Sequence, residues 1–352
     1  MRAARAAGGR VDPIAARAAV MLRIAIAGAG FMGGTHAPRW AAEEGVHVVG
    51  VYSRSLERAA ELAARVGARP TDSLDELLAM EADAVDICLP TDQHGGTALR
   101  ALAAGRHVVC EKPVARSVEE GRRMLEAARA AGRLLLVAHV VRFWPEYARL
   151  RALVAEGAIG RPTSATAWRL QEGPGWVADS DARRAVNNGP VVDLQIHDTD
   201  YLMWLFGEPR RVAAYGGERH VHTTFLFEGG VAATAEAACD MPAGYPFTSY
   251  VRVRGEGGVA EYLFRAGGVR PDQSDGRASE LLLHLPQGGR QRVDVPAGDP
   301  YTEQIRHFAD CLRRGQESAV VRPESAVRSL AVALRVRDAL DLGAPLGMGA
   351  PT

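Results

Sequence analysis

The chain has 352 residues, which at about 150 residues per domain points to two domains. Apolar residues make up 47% and charged residues 24%, enough apolar material for buried cores and a composition that excludes disorder over most of the length. Lys plus Arg and Asp plus Glu each number 42, so the formal net charge is zero and no basic footprint for DNA or RNA exists. The best apolar run, Leu134 to Val141, is eight residues long and includes His139, well short of the roughly 18 that a membrane-spanning helix needs. Cys88, Cys110, Cys239 and Cys311 lie far apart with no CxxC pair, which argues against a zinc knuckle or a disulfide framework. These features predict a cytoplasmic protein with no membrane or nucleic-acid partner.

Residues 1–20 are mostly Ala, Arg and Gly, with Asp12 as the one acid. Such a start fits an organelle transit peptide, but it lacks serine and its apolar residues are nearly all alanine. The plainer expectation is a disordered extension, or an upstream start with Met21 as the working one.

From Leu22 to Val141, short apolar runs alternate with amphipathic stretches. Leu22–Ala27, Val46–Tyr52, Ala84–Leu89, His107–Cys110 and Leu134–Ala138 read as strands; a helix after the first glycines, Ser55–Val66, Gly95–Ala104 and a helix opened by Ser117-Val-Glu-Glu120 and closed by Gly132 read as the intervening helices. That alternation predicts right-handed crossovers and a mostly parallel sheet covered on both faces. After about residue 160 the strands follow one another: 163–170, 211–215, 222–227, 231–238, 250–254, 259–264 and 281–285. Glycine turns at 228–230, 255–258 and 287–289 predict hairpins and a meandering antiparallel sheet. One helix over 191–206 separates its first two strands, and helices over 302–314 and 323–342 close the chain, the last capped by Gly343. The predicted fold is α/β: an N-terminal Rossmann dinucleotide-binding domain over 21–141, and an α+β domain with a large, open, mostly antiparallel sheet over 142–352. The last helices are expected to pack back on the first domain.

Gly28-Ala-Gly30-Phe31-Met32-Gly33 follows the first strand and opens a helix. The first glycine permits the turn, the second lets backbone approach a pyrophosphate, and the third lets helix and strand pack closely. The helix N-terminus then offers free N–H groups to the anion. A structural turn is the bland alternative, but the strand–loop–helix context favours dinucleotide binding. At the end of the second strand, where NAD sites place an acid, stands Tyr52-Ser53-Arg54-Ser55. A hydroxyl and a guanidinium there, with Arg58 one turn on, suit the 2′-phosphate of NADP. NAD held by Ser53 alone, with the arginines as solvated charges, remains the alternative.

Cys110-Glu111-Lys112-Pro113 ends a parallel strand, so Lys112 points into the crevice at the carboxyl edge of the sheet. Cys110, inside an apolar run, reads as an inert core residue rather than a reactive thiol. Further on, Asp193, His197 and Asp200 share one face of the predicted helix at i, i+4 and i+7. A satisfied core histidine is the bland reading, and the spacing also suits a metal. An acid–histidine–acid stripe favours acid–base chemistry, because histidine titrates near neutrality. No second His or Cys lies within ligand spacing, so no metal is expected.

The combination of GAGFMG, EKP and DLQIHDTD resembles the glucose–fructose oxidoreductase / inositol dehydrogenase / MocA-like (Gfo/Idh/MocA) family of NAD(P)-dependent oxidoreductases, from Leu22 to the last helix. The resemblance implies that Lys112, Asp193 and His197 are catalytic. It places Arg142 and Asp200 near substrate together with Lys112, Asp193 and His197, and Pro90, Thr91, His94, Glu111 and Lys112 around the nicotinamide. Asn187-Asn-Gly-Pro190 departs from the glycine-rich run often found before the catalytic aspartate. The implied reaction interconverts a hydroxyl and a ketone on a sugar or polyol. His197 is its acid/base, Lys112 stabilises the oxygen, and Asp193 orients His197. The implied assembly is a homodimer or homotetramer through the C-terminal sheet. A dinucleotide sensor without chemistry and an NAD-dependent glycosidase are the alternatives. Trp144, Trp168, Trp176, Arg169 and Tyr245 are expected to shape the substrate pocket.

Overall fold

The computed structural model describes residues 21–173, 189–217, 219–270 and 276–348. Residues 1–20, Trp176, Asn187 and Asn188 lie outside the described residues.

The first alternation of apolar and amphipathic segments forms β1 (Leu22–Ala27), α1 (Phe31–Ala42), β2 (Val46–Tyr52), α2 (Leu56–Val66), β3 (Arg69–Thr71), α3 (Leu74–Ala79), β4 (Ala84–Ile87), α4 (His94–Ala103), β5 (His107–Glu111), α5 (Val118–Ala130) and β6 (Leu135–Ala138). The six strands pair in parallel in the order β3-β2-β1-β4-β5-β6. Ile24, Ile26, Ile87 and Val109 are fully buried, as expected of strands covered by helices on both faces. Serine hydroxyls start three of the helices: Ser55, Ser73 and Ser117 accept the N–H groups of Arg58, Glu76 and Glu120. The Glu120 carboxylate accepts from Arg116 N–H at 2.9 Å, so the reciprocal half of the expected capping box goes to the preceding residue.

The second part comprises α6 (Pro145–Ala155), β7 (Pro162–Glu172), α7 (Gly189–Asp193), α8 (Ile196–Phe206), β8 (Pro209–Gly216), β9 (His220–Phe227), β10 (Ala232–Met241), β11 (Thr248–Gly255), β12 (Gly258–Arg265), β13 (Ala278–Leu285), β14 (Gly289–Arg292), α9 (Pro300–Arg314), α10 (Pro323–Leu342) and β15 (Leu346–Gly347). Its nine strands run β14-β13-β12-β11-β7-β10-β9-β8-β15. The sheet is not a simple meander. The chain leaves β7 through two helices and re-enters near the edge at β8, so β10 returns parallel to β7 while β11 pairs antiparallel on its other side. The expected single helix over 191–206 is two, broken at Leu194 and Gln195. The break is anchored: Gln195 Nε2 donates to the Ala235 carbonyl at 3.3 Å and its Oε1 accepts from Thr223 Oγ1 at 2.8 Å.

One apolar core fills the parallel sheet and its helices, and a second lies under the large sheet. Helix α9 packs into the first, and α10 spans the two. Phe308 and Leu330 belong to the first core, Val332 and Val336 to the second. The far face of the large sheet carries Trp168, Tyr215 and Leu226, all exposed, with Trp168 stacked on Tyr250 at 4.5 Å. No helix among the described residues is long and apolar enough to cross a membrane.

Two glycines allow β1 and α1 to meet. A Cβ on Gly33 would lie 1.8 Å from the Gly28 carbonyl oxygen, and one on Gly28, at φ +121°, would lie 2.5 Å from that of Cys88. Alanine at Gly33 is expected to destabilise the fold by about 1–3 kcal/mol through overpacking, read from the denaturant midpoint. An unshifted midpoint would mean that helix and strand do not make this contact.

Candidate active site

The loop between β1 and α1 lies at the carboxyl edge of the parallel sheet, where the strand order reverses between β1 and β4. Gly30 caps α1 without a side chain, and a Cβ built there meets nothing within 4 Å. The first N–H groups of α1 therefore face open space beside backbone, which fits a pyrophosphate. Phe31 is exposed and Met32 half-buried at the same end. At the end of β2, Ser53 is half-buried and its Oγ accepts from Ser55 N–H at 3.3 Å, while Arg54 and Arg58 are exposed. Pro90 is exposed, and Thr91 and His94 are buried after β4. The His94 ring bridges the Leu89 and Pro113 carbonyls at 2.8 and 2.9 Å, tying this loop to the turn that carries Lys112.

Lys112 leaves the end of β5. Its Nζ donates to the Asp193 carbonyl oxygen at 2.7 Å and to Asp193 Oδ1 at 2.9 Å. Behind it, Glu111 Oε2 accepts the Lys112 N–H at 3.1 Å, and Glu111 Oε1 lies 3.2 Å from His36 Nε2. His36 Nδ1 meets Asp86 Oδ2 at 2.9 Å, and Trp40 Nε1 donates to the same oxygen at 2.7 Å. Burial opposes a charge on His36, but the Asp86 carboxylate and the neighbouring Cys88 outweigh it and hold its pKa well above the ordinary imidazole value. Cys110 is buried and its thiol pushed well up by that burial, as suits an inert core residue.

His197 sits in the first turn of α8, half-buried, with its Nδ1 buried and lacking a hydrogen-bond partner among the described residues. Burial, then the positive charges of Lys112, Arg169 and His139, hold its pKa well below the ordinary value. Two ion pairs fix the helix. Arg169 of β7 binds Asp198 through two bonds of 2.9 Å, and Arg142 binds Asp200 through bonds of 2.8 and 2.7 Å. Ser329 of α10 donates to Asp200 Oδ1 at 2.7 Å. Burial alone would raise the Asp200 carboxyl, but His139 and Arg142 hold it below its usual range.

The structure thus brings Lys112, Asp193 and His197 together and separates Asp200 from them. Asp200 is 0% exposed, with its oxygens taken by Arg142 and Ser329. That pairing meets what a buried carboxylate requires. The helix break moves Asp193 out of the stripe, and its carboxylate binds Lys112 rather than His197. Of the expected pocket residues, Trp168 lies on the far face of the sheet, Arg169 is bound to Asp198, and Trp144 packs on Phe264 at 4.9 Å. Tyr245 is half-buried. Sequence reasoning missed His36, Asp86 and Asp198; a histidine on a glycine-loop helix and an acid inside a buried strand were the available signals.

Residues 22–139 match the oxidoreductase family GFO/IDH/MocA, described by its NAD-binding Rossmann fold, and residues 147–261 match the GFO/IDH/MocA C-terminal domain. D-glucoside 3-dehydrogenase of Escherichia coli is 35% identical over 193 residues, covering 53% of this chain and 55% of that protein. The scyllo-inositol 2-dehydrogenase (NAD(+)) of Bacillus subtilis is 25% identical over 341 residues, covering 92% and 96%. The first curated relatives are matched over 50–62% of their own length. Among solved structures, UDP-N-acetylglucosamine 3-dehydrogenase of Acidithiobacillus ferrooxidans superposes with a TM-score of 0.76 at 26% identity, covering 92% of this chain and 99% of that one. Levoglucosan dehydrogenase, in complex with NADH and L-sorbose, shares the fold with a TM-score of 0.80 at 21% identity over 93% and 99% of the two chains. A parallel sheet with a glycine loop at its carboxyl edge is joined to a large, mostly antiparallel sheet, and Lys112 of the first meets Asp193 of the second part. The chain belongs to the Gfo/Idh/MocA family, and its first part is an NAD(P)-binding Rossmann domain.

Replacing Asp200 by Ala is expected to cost about 3–5 kcal/mol, because Arg142 is left buried and unpaired. Denaturant unfolding measures this. A variant of undiminished stability with only a raised KM would instead put Asp200 at the substrate.

Proposed function

We propose that this protein is an NAD(P)-dependent dehydrogenase interconverting a hydroxyl and a ketone on a sugar, polyol or related small molecule. The observation that carries the reading is the meeting of Lys112, from the carboxyl end of β5, with the α7–α8 break that presents His197. The sugar and polyol dehydrogenases among the relatives support the substrate class. A bound nicotinamide supplies the hydride chemistry. His197, neutral because its pKa is depressed, takes the hydroxyl proton during oxidation and returns it during reduction. Lys112 directs its ammonium at the same oxygen, a contribution of about 3–4 kcal/mol in comparable oxyanion sites. Asp193 holds that ammonium in place through two contacts.

Residues 21–141 carry the coenzyme and 142–352 the substrate. NADP is the preferred coenzyme: no acid ends β2, and Ser53, Arg54 and Arg58 offer a hydroxyl and two exposed guanidiniums to a 2′-phosphate. The open sheet face with Trp168, Tyr215 and Leu226 suits a homodimer or homotetramer in the cytoplasm. A sensor without chemistry and an NAD-dependent glycosidase are the rival readings, and net NADPH consumption with a ketose separates the dehydrogenase from both.

His197→Ala and Lys112→Met are each expected to lower kcat by at least about 100-fold, with coenzyme affinity nearly unchanged in His197→Ala. Turnover that survives His197→Ala would remove its assignment. Fluorescence titration is expected to give tighter NADPH than NADH binding; the reverse order would overturn the coenzyme choice and leave the catalytic residues standing. Because the His197 pKa is depressed, the base stays neutral below the ordinary value of 6.5, and the acid limb of kcat/KM for oxidation falls below that pH. A limb at or above 6.5 would contradict the depressed base.

A further inference from the structure

The exposed face of the nine-stranded sheet carries a cluster that the proposed reaction does not use. His220 and His222 stand two residues apart on β9, so both imidazoles project from one face. Glu236 lies directly opposite His222 on β10. The neighbouring Thr223 points the other way, to Gln195 at the helix break, which marks the face opposite α8. One ligand atom from each of His220, His222 and Glu236 lies within 4.8 Å of the other two. The two rings stack with centroids 4.9 Å apart, and His220 Nε2 meets Glu236 Oε1 at 2.8 Å. A further carboxylate backs the first ring, with His220 Nδ1 3.8 Å from Asp240 Oδ1.

We propose that His220, His222 and Glu236 form a binding site for a divalent transition cation of the zinc type. Bonds of about 2 Å to one ion bring tetrahedral ligand atoms to about 3–4 Å from each other, a separation that side-chain rotation reaches from the present geometry. Two imidazoles and a carboxylate suit zinc over magnesium or calcium, which take oxygen ligands. Asp240 is placed to accept from the outer nitrogen of a metal-bound His220, the arrangement that fixes ring orientation in histidine metal sites. The ion would link β9 to β10. The other group of this type, His36, Asp86 and Cys88, is fully buried and already engaged with itself and Trp40, so it offers no comparable opening.

The cluster lies on the face assigned above to a second copy, so the test uses the full chain in its native assembly. Chelator-treated protein is titrated with zinc chloride by calorimetry, and the zinc retained after dialysis is counted by mass spectrometry. The expected result is one zinc per chain, with affinity lowered at least about tenfold in His220→Ala and in His222→Ala. His284→Ala is the control, because its cross-strand pair with Glu261 (2.9 Å) lies on the same face but holds a single imidazole; zinc binding there is expected to be unchanged. Melting curves without zinc check that each variant is folded. No saturable zinc uptake by the wild-type protein, or uptake that survives both cluster substitutions, would overturn the site.

Discussion

Buried charge must be paired, and in this protein that requirement sets the position of one helix. Asp198 and Asp200 of α8 are almost wholly enclosed, and each persists there through two bonds to an arginine. The arginines come from different places. Arg169 belongs to the large sheet, while Arg142 follows the last strand of the parallel sheet, so the helix is clamped to both halves. At about 100° per residue, Asp198 and Asp200 lie on opposite sides of α8, and His197 falls on the arc between them. The clamps therefore fix the side of α8 on which His197 stands without touching it. Burial chiefly depresses the histidine's pKa, and Arg169 of one clamp adds to it together with Lys112 and His139.

Much of this was legible in the sequence because the signals were local. Strands β1 and β2 and helix α10 have the limits that their apolar runs and caps predict. The three glycine turns close the hairpins they mark, and Lys112 ends a parallel strand as its motif requires. What the sequence could not convey is pairing across long separations. The place of β7 at the centre of the large sheet depends on where the chain re-enters after two helices, which no window of residues encodes. Asp193, His197 and Asp200 have helical spacing, yet the break at Leu194–Gln195 redirects the first to Lys112, and Arg142 draws the third into the core. A stripe of polar residues shows that partners exist, not which ones. β3, α3 and β15 are too short for periodicity to register.

The same reasoning reaches from Lys112 to the glycine loop. Helix α1 offers its uncapped N-terminus at Gly30 to an anion, and about one and a half turns later the same helix carries His36. His36 lies between Asp86 of β4 and Glu111 of β5, and Glu111 accepts the backbone N–H of Lys112. His36 Nδ1 and Trp40 Nε1 both meet Asp86 Oδ2, so displacing α1 would break two buried contacts at one carboxylate. The start of α1 and the lysine turn are thus linked through side chains, with His94 joining the Leu89 and Pro113 carbonyls on the other side. The glycine loop and Lys112 therefore belong to one connected set of contacts, while His197 is carried on a helix held by the two arginine pairs. The Lys112–Asp193 contact joins these two sets directly.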